Sequence, residues 1–217
     1  MNYVEDFSEQ GSQEWKVARI PYITASDMHK VMAKGKGVTR NNYMVRKLCE
    51  QLNDTPTPTF KTAYMQDGND REYIARDIYQ QVTGNKVVER GFCYLPKLGI
   101  GASVDGDVVD TDGIIEIKNL VATEMIELIT KKKIKSEYIK QMQTQMLVLD
   151  KKWCDFVAQS LGSEEHGELP DEYKFRIVRV KRDEKMIAEI LAESKKFHEE
   201  LKQLKEELEK SKGGLNE

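Results

Sequence analysis

Between Gly68 and Gly84 the apolar residues Tyr73, Ile74, Ile78 and Val82 recur at helical spacing, and the closing glycine is a natural helix stop. The same spacing predicts helices over 42–52 (NYMVRKLCEQL) and 137–150 (EYIKQMQTQMLVLD), and a short one over 12–19 (SQEWKVAR). It also predicts a helix start in ITASDMHKVMA, with Thr24 or Ser26 as N-cap. Apolar runs of strand length follow in KVVERGFCYL, IGASVDGDVVD, GIIEIKNL, KWCDFVAQSL and YKFRIVRVKR. DTDG, between the second and third, has the composition of a hairpin turn. Polar loops separate the elements at KGKGVTRNN (34–42) and NDTPTPTF (53–60), the latter broken by Pro56 and Pro58. From Asp183 a long apolar stripe runs through Ile187, Ile190, Leu191, Phe197, Leu201, Leu204 and Leu208 without strict heptads, and the tail GGLNE is expected to fray. The order is helices, three strands, helix, two strands and a long helix. It predicts an α/β fold with a central mixed sheet flanked by helices. Residues 1–182 form the core, and 183–217 form an amphipathic helix and tail packed on it or on a neighbouring subunit.

The 217 residues suffice for one such domain, and 39% hydrophobic against 33% charged residues is a globular balance. No apolar run is long enough for a membrane span, and MNYVEDFSEQ lacks the apolar core of a signal peptide. Cys49, Cys93 and Cys154 are scattered with no CxxC, which argues against zinc, an iron–sulfur cluster or a disulfide framework and fits a reducing cytoplasm. The net charge of −3 is carried by residues 183–217, leaving the rest of the chain neutral overall. Total charge therefore neither supports nor excludes nucleic acid, although KKKIK (131–135) offers a local basic surface.

The candidate chemistry lies in SVDGDVVDTDGIIEIKNL, where Asp105 precedes Glu116-Ile117-Lys118 across the predicted turn. Glu116 and Lys118 share one face of their strand, while Ile117 turns its side chain to the other and leaves its carbonyl free to face the site. Charges in a run that otherwise reads as buried need compensation, and a metal ion would supply it. Two carboxylates and a carbonyl are hard oxygen ligands of the kind Mg²⁺ takes, and a lysine beside them can position a water for phosphodiester hydrolysis. On its own the triplet is only moderately specific, since the same charges could decorate an exposed hairpin.

Four collinear segments, spread from about Gly11 to about Lys181, alter that balance: EWKVARIPYITASDMHKVMA (14–33), GNDREYIARDIY (68–79), SVDG followed by EIK, and YIKQMQ (138–143). Together the chain resembles the lambda-exonuclease-like, YqaJ-like viral recombinase family of the PD-(D/E)-x-K nuclease superfamily, which has a restriction-endonuclease-like core. The resemblance implies that Glu72, Asp105 and Glu116, with the carbonyl of Ile117, ligate Mg²⁺, two ions in the full site, with Mn²⁺ as a substitute. It implies that Lys118 positions the attacking water, that Gln141 orients Lys118 or that water, and that Tyr138 reaches the site from the same helix face. It assigns Arg19, Ser26 and Ser103 to a pocket for a 5′-phosphate and brings Arg40 and its loop, with Lys34 and Lys36, near the DNA.

The activity so implied is 5′→3′ exonucleolysis of one strand of duplex DNA, leaving a 3′ single strand. The resemblance further implies a homotrimeric ring, a phage single-strand annealing protein as partner, and a phage or prophage origin in the cytoplasm of a bacterial host. Val104 stands where the family often has proline, which loosens the backbone there without removing a ligand. Two other readings stay open: a restriction-like or repair endonuclease on the same core, and a catalytically inactive DNA-end scaffold. Ordinary roles also stay open for individual residues. Glu72 can be a solvated helix residue, Ser26 a cap alone, Arg19 half of an ion pair, Trp15 an anchor and His29 a surface residue.

Overall fold

The computed structural model describes residues 2–33, 37–58, 72–162 and 167–211. Expectations for Lys34 and Lys36, for the end of the 53–60 loop, for the first residues of the helix begun at Gly68 and for the GGLNE tail fall outside these residues. The fold is mixed α/β. Its helices are α1 (Gln13–Ala18), α2 (Met28–Val31), α3 (Val38–Asn53), α4 (Glu72–Thr83), α5 (Ala122–Lys131), α6 (Ser136–Val148) and α7 (Glu184–Ser211). No helix among the described residues is long and apolar enough to cross a membrane.

The strands form two sheets. A five-stranded mixed sheet runs β3 (Val87–Val88), β6 (Gly106–Val108), β7 (Gly113–Asn119), β8 (Trp153–Gln159), β9 (Phe175–Lys181). β7 and β8 are parallel, so the chain must cross over between them, and it does so through α5 and α6. This is the expected central sheet, with β6 and β7 joined by the expected turn at DTDG. A second, four-stranded sheet was not anticipated: β1 (Val4–Asp6), β4 (Phe92–Leu95), β5 (Ile100–Ala102), β2 (Ile23–Thr24). It arises because two of the expected strands are each broken. KVVERGFCYL divides into β3 and β4, and IGASVDGDVVD into β5 and β6, so Ser103-Val104-Asp105 becomes the link between the sheets. Gly106 permits the crossing, since a Cβ there would lie 2.1 Å from Val87 Cγ1.

The central sheet is covered on both faces, which is why β7 reads as an almost unbroken apolar run. Ile115, Ile117 and Val157 meet Ala75 and Tyr79 of α4 on one face. Ile114, Phe156 and Ala158 join the larger core with Met142 and Met146 of α6 on the other. The stripe of α7 enters the same larger core through Ile187, Ile190, Phe197 and Leu201. The expected helix start in ITASDMHKVMA proves shorter than its pattern suggested: a 3₁₀ turn at Ala25–Asp27 follows β2 and leads into the single turn of α2. Asp27 is the N-cap of α2 and Thr24 Oγ1 donates to Asp27 Oδ2, so Ser26 lies in the turn and not at a helix N-terminus open to anions.

His198 on α7 shows how closely that helix seats. Its Nε2 stands 3.1 Å from the Gly99 carbonyl, and a Cβ on Gly99, where φ is +64°, would lie 2.4 Å from the ring. Burial holds the His198 pKa below its ordinary 6.5, outweighing the Gly99 carbonyl that raises it. A depressed folded value means that the unfolded chain takes the proton first. Stability from this ring is therefore complete above pH 6.5 and is lost as pH falls through the folded value. Thermal melts taken from about pH 7.5 down to about pH 5 should lose stability more steeply for wild type than for His198→Gln.

Candidate active site

β6 pairs with β7 only as far as Gly106 opposite Ile115, whereas β7 continues along β8 to Asn119. From Glu116 onward β7 thus loses its β6 neighbour, and Asp105, one residue before β6, fills the gap. Its Oδ2 accepts the Ile117 N–H at 2.6 Å. In an extended strand the N–H and C=O of one residue point to the same edge, so the Ile117 carbonyl also faces the Asp105 side. Its side chain points into the core beneath α4.

Glu116 projects from the opposite face, with its side chain 1% exposed. A carboxylate so buried needs donors, and three side chains provide them. Lys118 Nζ and Gln141 Nε2, the latter at 2.6 Å, donate to Oε1, and Gln145 Nε2 donates to Oε2 at 2.5 Å. Gln141 and Gln145 are one helical turn apart on α6, so both reach the same carboxylate. Tyr138 sits one turn earlier; its ring stacks on Phe156, and Lys118 Nζ lies 5.4 Å from its centroid.

Glu72 begins α4, which packs on the β7 face away from Glu116. Asp105 feels both acids. Burial raises its pKa well above the ordinary value, and the charges of Glu116 and Glu72 raise it further, while Lys118 and the Ile117 N–H pull it back. Lys118 is raised too: burial would lower it, but the Glu116 and Asp105 carboxylates outweigh burial. Three mutually repelling carboxylates and an edge carbonyl are a donor set whose charge a divalent cation would balance. Among the described residues no three acidic, His or Cys side chains stand close enough to hold an ion as they are now turned. The oxygens of Glu116, and Oδ2 of Asp105, face protein donors instead.

A cleft of about 1670 Å³ opens beside Asp105 and Glu72 and runs to a cationic end lined by Arg19, Ser26, Lys30, Arg46 and Lys47. Lys47 is 4% exposed and is held by Glu50 Oε2 at 3.0 Å and by the Arg19 carbonyl. Arg46 and Lys30 both donate to Asp27. The Arg19 guanidinium lies 3.9 Å from the Trp15 ring centroid, and its Nε is buried without a hydrogen-bond partner. Burial holds the Arg19 pKa below its ordinary value, against the pull of Asp27. Trp15 Nε1–H donates to Ser103 Oγ at 3.3 Å, so Ser103 is tied to this end of the cleft through Trp15. His29 keeps to its own turn, with Nδ1 2.9 Å from the Ser26 carbonyl.

The residues singled out in the sequence thus fall into two groups, and the cleft is lined by Glu72 and Asp105 of the first and by Arg19 and Ser26 of the second. Asp105, Glu116, Ile117, Lys118, Tyr138 and Gln141 gather at the β7 edge with Glu72 beside them, and Arg19 and Ser26 line the far end. Arg40 stands apart. It donates to Glu200 of α7 and, at 3.0 Å, to the Val31 carbonyl, and its guanidinium lies 5.3 Å from the Phe197 ring centroid. Replacing Arg40 with alanine should cost about 1–2 kcal/mol in a denaturant melt, since the packed stem is lost with the charge. Its effect on duplex affinity in a titration should be small. Sequence reasoning did not single out Gln145, Arg76 or the Lys30–Arg46–Lys47 group. Gln145 was readable from its i+4 spacing to Gln141; Arg76, whose Nε donates to the Asp105 carbonyl at 3.0 Å, had no such signal.

Residues 14–152 match the YqaJ-like viral recombinase domain. The alkaline exonuclease LHK-Exo from Laribacter hongkongensis is 40% identical and superposes with a TM-score of 0.83 over 94% of this chain and 100% of its own. Its structure in complex with dAMP matches to the same extent. A phage-related exonuclease from Haemophilus somnus 129PT, 18% identical, shares the fold with a TM-score of 0.70 over 86% of this chain and 96% of its own. No curated protein matches. The chain belongs to the YqaJ-like viral recombinase family, and its role is that of a nuclease.

Proposed function

We propose that this nuclease is a metal-dependent 5′→3′ exonuclease of duplex DNA that begins at a phosphorylated end and leaves a 3′ single strand. The observation that carries the reading is the continuity of the cleft: carboxylates open into one end of it, and a cluster of cations with an unpartnered arginine Nε lines the other. A terminal phosphate carries more charge than an internal diester, and an arginine fork matches its oxygens. The relative with dAMP bound holds a 5′-mononucleotide, the kind of product that stepwise cleavage releases.

Glu72, Asp105, Glu116 and the Ile117 carbonyl would hold Mg²⁺, in two positions, with Mn²⁺ able to replace it. When bound, the metal supplies Lewis-acid charge at the scissile phosphate and makes a neighbouring water acidic. Lys118 orients that water and stabilises charge as it develops on the phosphate. Gln141 keeps Glu116 and Lys118 in register, and Tyr138 packs beside the lysine. Arg19 and Ser26, with Ser103 behind Trp15, receive the 5′-phosphate and set the distance from the end to the bond that breaks. A homotrimeric ring would let a chain of net charge −3 enclose DNA, since only the channel need be basic. The overhang would pass to a phage single-strand annealing protein in a bacterial host.

One assay tests the reading. A linear duplex, labelled on one strand and carrying a 5′-phosphate or a 5′-hydroxyl, is incubated with protein and Mg²⁺ or EDTA beside a nick-free circular duplex. The expected result is Mg²⁺-dependent loss of the phosphorylated strand with the circle intact. Cleavage of the circle would make the protein an endonuclease. Inertness toward both substrates in Mg²⁺ and Mn²⁺ would leave an end-binding scaffold.

A further inference from the structure

Gln145 is 0% exposed, yet its amide makes two polar contacts with different parts of the site. Nε2 donates to the Ser103 carbonyl at 3.0 Å and to Glu116 Oε2 at 2.5 Å. Two acceptors fix the amide, because the flipped form would set oxygen against oxygen. On the far side of Ser103, its Oγ accepts Trp15 Nε1–H at 3.3 Å, and the Trp15 ring carries the Arg19 guanidinium at 3.9 Å. An unbroken series of contacts therefore joins the cationic end of the cleft to the buried carboxylate. Two members of it are incompletely satisfied, since Arg19 Nε and Gln145 Oε1 are buried without partners. Buried polar atoms left unpaired call for an explanation, and a bound ligand that completes the bonding is one.

We propose that Gln145 is a positioning residue that couples occupancy of the cationic end by a terminal phosphate to the orientation of Glu116. This rests on the reading of that end as a 5′-phosphate pocket. A phosphate gripped by Arg19 steadies the guanidinium and the Trp15 ring beneath it. Trp15 then holds Ser103, which lies two residues from Asp105, and the Ser103 carbonyl holds the Gln145 amide that bonds Glu116. A bound end thus improves the chemical step as well as the affinity, and Gln145 is the last link in that effect.

A chain of contacts becomes coupling only when a double-mutant cycle shows it. Initial rates are measured at saturating duplex, with 5′-phosphate or 5′-hydroxyl ends, for wild type, Arg19→Ala, Gln145→Met and the double variant. In the wild-type background Arg19→Ala should lower kcat on phosphorylated ends about tenfold, and in the Gln145→Met background by about twofold or less. Trp15→Phe, which removes the indole donor and leaves a smaller aromatic ring beneath Arg19, should reproduce this loss of coupling and decides the matter if Gln145→Met does not fold. Gln143→Met is the structural control. It lies on the same helix at 2% exposure and bonds the Lys181 carbonyl and the Asp183 N–H, so it should lower the melting temperature and keep the coupling. Additive effects of Arg19→Ala and Gln145→Met would overturn the proposal and leave the phosphate pocket standing. Loss of coupling in Gln143→Met would also overturn it, by reducing the effect to a loosened helix. If Arg19→Ala leaves both kcat and the preference for phosphorylated ends unchanged, the pocket reading falls together with the proposal.

Discussion

Replacing Lys118 with alanine should slow DNA hydrolysis by about a thousandfold or more while leaving duplex affinity within a few-fold of wild type. On the proposed function the lysine sits where charge would develop. Its ammonium donates to Glu116 and lies 5.4 Å from the Tyr138 centroid, and its side chain remains 25% exposed, within reach of a substrate. The carboxylates of Glu116 and Asp105 raise its pKa against the effect of burial, which favours the charged, donating form. Affinity should survive because the cations at the far end of the cleft are untouched. Removing one partner of a buried ion pair costs about 3–5 kcal/mol in the fully buried case. The cost here should be smaller, since Gln141 and Gln145 still donate to Glu116. Lys118→Met keeps the stem and separates the two effects. If that variant melts like wild type and still degrades duplex within about tenfold of the wild-type rate, Lys118 has no part in the chemistry.

The pattern of apolar positions revealed the central sheet, α3, α6 and α7 because each is long enough to show its period. It did not reveal β1 or β2, which are three and two residues long and fall below any periodic signal. It joined β5 to β6 because Ser103-Val104-Asp105 is no less strand-like than its flanks, whereas the break there is imposed by tertiary packing against Trp15 and Gln145. No helix was expected over α5, whose apolar signal is the short spacing of Met125 and Leu128 ahead of a lysine run; Lys131 and Lys135 pair with Glu127 and Glu124. Within the site, Glu116 and Lys118 could be placed on one face from strand alternation alone. The closeness of Glu72 to Asp105 could not, because it depends on how α4 lies over the other face of the sheet. Arg40 shows the reverse dependence: beside a Gly-rich loop it reads as a DNA contact, and its pairing with Glu200 depends on the return of α7, which no local pattern announces.

Phe197→Ala should destabilise the protein by about 3–5 kcal/mol, the range for truncating a fully buried aromatic. That loss corresponds to a melting temperature lower by on the order of 10 °C in a chain of this length. Phe197 is 0% exposed, its ring lies 5.4 Å from that of Tyr43 on α3, and it carries the Arg40 guanidinium on its other contacts. Around it, Ser194 Oγ donates to Met28 Sδ and His198 meets Gly99, so one stretch of α7 secures α2, α3 and the turn before β5. A cavity at this point should therefore be felt beyond the C-terminal helix. α3 supplies Arg46 and Lys47, and α2 supplies Lys30, to the cationic end of the cleft. Glu116 at the β7 edge is held by hydrogen bonds from Gln141 and Gln145 of α6, none of which involves Phe197. Below the melting transition the variant should accordingly raise KM for 5′-phosphorylated duplex more than it lowers kcat, which initial rates across a range of DNA concentrations would read directly. A melting temperature equal to that of wild type would mean that α7 does not share the core. An equal fall in kcat with KM unchanged would mean that the helix supports the catalytic edge and not the end-binding half of the cleft.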